Sequence, residues 1–154
     1  MRASESEIRS DLVDGLTSDA VLAKLRPGLV ALGYEVEAGK KAEQKIRRPV
    51  LFGEQGIERV AYEVDAVHDE LGIVVEVEAG RGARGNAAYR DLVRTSLIVG
   101  ADYLVLGLMV GYRHKSGGKD VVVSSYREVK DQLEAIYASG RLGLPFKGIL
   151  LFGY

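Results

Sequence analysis

The 154-residue chain contains no cysteine, which removes disulfides, thiolate zinc sites and thiol chemistry, and fits a reducing compartment. Histidine is scarce: His68 and His114 are the only two, too isolated in sequence to suggest a zinc site. Neither sign of charge dominates, because 21 Lys and Arg nearly balance 22 Asp and Glu for a formal net charge of −1. A uniformly basic nucleic-acid binder is therefore excluded, although local patches are not. Apolar runs are short, and the longest, around Tyr103–Val110, falls well below the length that crosses a bilayer. Met1–Asp14 is charged and lacks an apolar core, so no secretory leader is expected. The glycines of Gly80–Gly85 match neither a Walker nor a Rossmann fingerprint, and there is no G-x-S-x-G elbow.

What remains is ordinary globular composition, 47% hydrophobic and 28% charged, so disorder is not expected. No repeat or low-complexity linker divides the chain. A single cytoplasmic domain over residues 1–154 is expected, with an N-terminal helix within 1–16 peripheral to it.

The pattern predicts a short amphipathic helix over Ser4–Asp14, carrying Ile8, Leu12 and Val13 on one face. Thr17 or Ser18 caps a second helix running towards Leu32, which Pro27 is expected to kink or restart. Gly33 stops that helix and Tyr34–Glu37 reads as a strand. A basic, poorly patterned segment follows, with Lys40, Lys41, Lys45, Arg47 and Arg48. Arg59–Val67 and Ile73–Ala79 then read as a hairpin about the turn Asp69–Gly72. Asn86 caps a helix to Ile98 or Val99 with Tyr89, Leu92, Val93 and Leu97 as its expected core stripe. Tyr103–Val110 is apolar on both faces and should be an interior strand parallel to Ile73–Ala79. Lys115–Gly118 reads as a loop, Ser124 or Ser125 caps a helix to Ala138, and Phe146–Phe152 is a last strand. The fold class is α/β: a mixed central sheet with helices on both faces.

The hairpin carries the chemistry. Side chains alternate across a strand, so Glu76 and Glu78 share one face, as do Glu63 and Asp65. A turn centred on Glu70–Leu71 sets position 65 opposite 76 and position 63 opposite 78. Directly opposed like charges destabilise a sheet by ~0.2–1 kcal/mol per pair, and no Lys or Arg lies near them on that face of either strand to relieve this. A hard divalent cation would. The plainer alternative is a solvated face of an edge hairpin, but Ile73–Val74–Val75 makes that strand look central.

Asp65, ten intervening residues, then Glu76-Val77-Glu78 resembles the PD-(D/E)xK, or restriction-endonuclease-like, nuclease superfamily. Asp65 matches the motif Asp, Glu76 its (D/E), and Glu78 stands where lysine is usual, as in the D…ExE version of some type II restriction enzymes. Val64 stands where proline is often found. The order of elements from Leu22 to Val110 is similar to the helix–three strands–helix–strand core of that superfamily.

The resemblance implies a Mg²⁺-dependent DNA endonuclease, with Mn²⁺ as a substitute ion. Asp65, Glu76 and Glu78 would be the catalytic and metal-binding residues and Glu63 an outer ligand, with hydrolysis by Mg²⁺-activated water. RNA stays open as a substrate, no membrane partner is expected, and a palindromic target would imply a homodimer. Arg81 and Arg84, in a glycine loop leading to a helix N-terminus, are candidate phosphate contacts, and Lys40 and Lys41 a candidate nucleic-acid-binding arm. Arg90 and Arg94 read as ordinary helix-surface charges. The alternative from a different class is a nuclease-like domain without catalysis, serving as a DNA-binding or protein-interaction module.

Overall fold

The computed structural model describes residues 5–13, 15–80 and 86–154. Helix α1 (Glu5–Ile8) is shorter than its expected span, whose ends Ser4 and Asp14 lie outside the described residues. Helix α2 (Ser18–Ala31) starts at Thr17, whose side chain accepts a hydrogen bond from the Ala20 amide at 3.2 Å. Pro27 does not restart the helix, for α2 runs through it from Ser18 to Ala31. It sits on the exposed face, as does Ala23, so the carbonyl that loses its partner can turn to water.

A five-stranded sheet forms the centre, in the order β1 (Glu35–Val36), β4 (Ala66–His68), β5 (Ile73–Glu78), β6 (Tyr103–Leu108) and β9 (Gly148–Gly153). The first three run antiparallel, whereas β5, β6 and β9 run parallel. Strand β6 is therefore interior and parallel to β5, as its apolar character predicts. Helix α3 (Ala87–Ser96) joins β5 to β6, and α4 (Ser125–Ser139) precedes β9. The α4 cap is Ser124, whose hydroxyl accepts from the Arg127 amide.

Both sheet faces are covered. Ala66, Val75 and Val77 pack on one face against Ile8 of α1 and Val21, Leu22 and Leu25 of α2. Leu104, Leu106 and Leu108 pack on the other against Ala88 and Leu92 of α3 and Val129 and Leu133 of α4.

Two ladders lie outside this sheet, and neither is evident in the sequence pattern. The basic segment forms β2 (Ile46–Phe52), which pairs with β3 (Glu58–Val64); the expected loop Lys115–Gly118 is reduced to the turn Gly117–Gly118 of a hairpin of β7 (Tyr112–Ser116) and β8 (Lys119–Val123). The expected strand Arg59–Val67 is thus two strands in different sheets, with Asp65 at the break.

Gly72 closes the turn before β5 with φ +62°, and its carbonyl accepts from the amides of Asp102 and Tyr103, which ties the start of β5 to the start of β6. A Cβ here would come within 2.5 Å of the Gly100 carbonyl oxygen, whereas Gly140, at φ +61° after α4, has open space around it. Gly140→Ala should lose about 1 kcal/mol for left-handed backbone strain, and Gly72→Ala distinctly more because backbone must also move. Urea unfolding of the two variants checks this; equal losses would remove the role given to the Gly72–Gly100 contact.

Candidate functional site

Strand register decides which acids meet. Ala66 lies opposite Val75 and Val67 opposite Val74, so the expected turn centre is correct and Asp65 follows at the place facing Glu76. Val67 and Val74 pack together with Ile98, on the side where Glu76 and Glu78 also project by strand alternation. The Asp65 carboxylate (Oδ2) accepts from the Val77 amide at 2.7 Å, which holds it against the end of β5.

Glu63 goes elsewhere. The expected pairing of position 63 with 78 does not form: Glu63 lies opposite Arg47 in the β2–β3 ladder, with its side chain 58% exposed. Its carboxylate is 3.9 Å from Lys45 Nζ. Lys45 itself is 2.7 Å from the carboxylate of Glu37, a buried residue whose amide bonds the Asp65 carbonyl.

Helix α3 supplies a further acid. Asp91 is only 4% exposed, and its Oδ1 accepts from Arg90 Nε at 3.0 Å. Arg90 Nη2 donates to Glu78 Oε1 at 2.5 Å, so one guanidinium spans both carboxylates. Asp91 Oδ2 is buried without a hydrogen-bond partner in the structure. The end of β5 beneath them is pinned by Tyr154 Oη donating to the Glu78 carbonyl at 2.8 Å and Ser125 Oγ donating to the Gly80 carbonyl at 3.0 Å.

Burial and mutual repulsion push these acids towards their protonated forms. Burial pushes Glu76 well above the usual carboxylate range, and the charges of Asp65, Asp91 and Glu78 add to it while Arg90 opposes. Burial raises Asp65 to about 6, with the Val77 amide working against the rise and Glu37 and Asp91 adding to it. Glu78 is raised by burial first and by Asp91 next.

Neither Asp91 nor Arg90 stands out in the sequence as a site residue. Of the expected stripe of α3 only Leu92 is buried, for Tyr89, Val93 and Leu97 are exposed and the buried face also holds Ala88, Asp91 and Thr95. The available signal is the helical spacing of Ala88, Asp91, Leu92 and Thr95, which a search for large apolar residues passes over. The expected absence of relieving cations holds for β3 and β5 alone, since Arg90 reaches in from α3 and Lys45 from before β2.

The remaining basic residues are placed differently. Arg48 binds Glu35 at 2.7 Å and Asp69 at 2.8 Å, Arg47 reaches Glu58 at 3.4 Å, and Lys40 reaches Asp19 at 3.0 Å. Lys41 is exposed at the start of a short 3₁₀ turn. Arg94 lies over the Tyr62 ring at 5.3 Å, and Arg81 and Arg84 lie outside the described residues. His68 meets the edge of Tyr34.

Asp65, Glu76, Glu78 and Asp91 offer only hard carboxylate oxygens, one of them buried and without a donor, and that donor chemistry suits Mg²⁺ or Mn²⁺. In the present arrangement no three His, Asp or Glu side chains among the described residues are grouped closely enough to share one ion. The Arg90–Glu78 pair and the Asp65–Val77 bond hold the carboxylates to separate partners.

An acid raised in the folded state is penalised once it ionises. For Asp65 the penalty is absent below about pH 4, grows between about 4 and 6, and persists above. Asp65→Asn keeps an acceptor for the Val77 amide and removes the charge. Measured by urea unfolding in EDTA, it should gain on the wild type by on the order of 2–3 kcal/mol between pH 4 and pH 8. A difference that stays flat with pH would show that the Asp65 carboxyl is unperturbed.

Comparison with known proteins found no matching family model, no matching curated protein and no matching solved structure.

Proposed function

We propose that this protein is a metal-dependent phosphodiesterase, with duplex DNA as its substrate and a restriction-endonuclease-like core of the D…ExE kind. One observation carries the reading: Asp65, Glu76, Glu78 and Asp91 are gathered at the end of an interior strand, where their charges repel one another and burial raises Asp65, Glu76 and Glu78 further. Structural acids are seldom kept there, whereas a site for a cation and a phosphate needs them. The chain order α2, β1, β4, β5, α3, β6, with the β2–β3 ladder inserted, supports the same core. Among the described residues no helix is long and apolar enough to cross a membrane, and the reading places the enzyme in the cytoplasm, as a two-fold dimer if its target is palindromic.

Asp65 and Glu76 would hold Mg²⁺, which supplies positive charge to the phosphate oxygens and lowers the pKa of water. Glu78, which Arg90 holds beside Asp91, would take the proton of the attacking water once it is ionised. Arg90, 49% exposed, can exchange Glu78 for a substrate phosphate at little expense, because both are charge-assisted partners of one guanidinium. Lys40, Lys41, Arg81 and Arg84 are the proposed contacts to flanking phosphates.

Glu76→Gln separates activity from stability. It should reduce Mg²⁺- or Mn²⁺-dependent cleavage of duplex DNA by more than about 100-fold. Relief of repulsion should raise apo stability by roughly 0.5–2 kcal/mol. If wild-type protein cuts neither DNA nor RNA with either ion, and Glu76→Gln melts no higher, the catalytic reading fails in favour of a non-catalytic binding module.

A further inference from the structure

Two ladders meet at the strand break, and both bring a charged residue level with Asp65. Ile46 lies opposite Val64 in the β2–β3 ladder, so Lys45 follows at the level of Asp65. Glu35 and Val36 lie opposite Val67 and Ala66, and the Glu37 amide continues that ladder by donating to the Asp65 carbonyl at 2.8 Å. The turn between them is closed by backbone, the Ala38 amide donating to the Gln44 carbonyl at 3.0 Å. Across it, Lys45 Nζ lies 2.7 Å from Glu37 Oε1.

Stability does not account for this pair. The side chain of Glu37 is only 7% exposed, and a buried ion pair seldom outweighs its own desolvation when compared with apolar residues in the same space. The Ala38–Gln44 bond already ties β1 to the start of β2. What the pair does achieve is to fix an ammonium in one place while leaving it 22% exposed. An ammonium has three donors. Glu37 takes one, and Glu63, at 3.9 Å, stands beyond hydrogen-bonding range, so donors stay open at the surface beside Asp65. The Glu37 hydrogen bond raises the pKa of Lys45 against the opposing effect of burial, which keeps the group charged.

Resting on the proposed function, we propose that Lys45 is a phosphate-binding residue of the site, held by Glu37 so that its ammonium donates to a non-bridging oxygen of the phosphodiester beside Asp65. Glu37 is then a positioning residue, acting through Lys45. Positive charge reaches the substrate from the Asp65 side through Lys45, as it does from the Glu78 side through Arg90. The turn before β2, which lies outside the hairpin, becomes part of the site.

The test is cleavage of long duplex DNA with Mn²⁺ by wild type, Glu76→Gln, Lys45→Met and the double variant Glu37→Gln/Lys45→Met, with urea unfolding of each in EDTA. Lys45→Met leaves the Glu37 charge buried without its partner and should lose stability, whereas the double variant removes that charge and should regain most of the loss. Activity should not follow: kcat should fall about 100-fold or more in both, with KM changing less. Recovery of activity together with stability in the double variant makes Lys45 structural and overturns the proposal. Wild-type rates in Lys45→Met, with Glu76→Gln inactive, overturn it while leaving the proposed function standing. A wild type that cuts neither DNA nor RNA with either ion overturns both. Because the chain has no cysteine, Lys45→Cys can be alkylated at that position alone. Aminoethylation, which restores an ammonium, should recover at least about tenfold of the lost rate, and carbamidomethylation, which adds a neutral amide, should not. Equal recovery by the two reagents, or none by either, is decisive against a phosphate contact.

Discussion

The contact between helix α3 and the end of strand β5 is the interaction on which the site depends, because it buries like charges together. Two carboxylates ~5 Å apart repel by about 3 kcal/mol at an effective dielectric of ~20, before any loss of hydration. Four such groups share this corner, and the compensation on hand is partial: the Arg90 guanidinium, the Val77 amide and the more distant Lys45. The protein accommodates the rest by raising proton affinity, which is the physical meaning of the upward shifts at Asp65, Glu76 and Glu78. Those same shifts describe a pocket short of positive charge.

Apolar packing elsewhere makes this tolerable. The strand beside the acids, β6, places Leu104, Leu106 and Leu108 fully inside, and Glu76 and Glu78 stand level with Leu106 and Leu108 in the parallel register. Helices α3 and α4 clamp those leucines. The C-terminal end of β5 is held by groups from distant parts of the chain: Tyr154, Ser125 and the thioether of Met109 beneath the Gly80 amide. Ser10 in turn donates to the Tyr154 carbonyl and accepts from the Val110 and Gly111 amides, so the segment after α1 braces the same corner. The acids are thus carried by a frame whose stability does not come from them.

Much of this was legible in the sequence where one physical rule governs. Period-two alternation put Glu76 and Glu78 on one face, the Asp69–Gly72 turn gave the register of β4 on β5, and unbroken apolarity marked β6 as interior. Prediction faltered where tertiary contact overrides local pattern. Pro27 reads as a point where the helix kinks or restarts, but it sits on an exposed helix face where a lost amide is harmless, as Pro49 does in a bulged ladder. The hairpin of β7 and β8 was hidden because its first strand is Tyr112-Arg113-His114-Lys115-Ser116, polar throughout, and only Gly117 and Gly118, both at positive φ, betray the turn. Asp91 was missed for a different reason. Helical periodicity is read by summing apolar residues, and a buried acid counts against the face that holds it.

The break at Asp65 shows how finely the composition of the cluster is set. Glu63 and Asp65 are two residues apart and, in one unbroken strand, would share a face and a fate. The chain instead leaves the β2–β3 ladder after Val64 and enters the central sheet at Ala66. Glu63 is left opposite Arg47, exposed and within reach of Lys45, where an acid is easily solvated. Asp65 is turned inward onto the Val77 amide and into the field of Glu37 and Asp91. The acid that shares a partner with Glu78 comes instead from a helix, Asp91, through the Arg90 guanidinium that bonds both. Changing the sheet to which a few residues belong therefore exchanges one carboxylate for another. The one brought in is the more deeply buried, and its position is governed by how α3 packs rather than by the hairpin's own register.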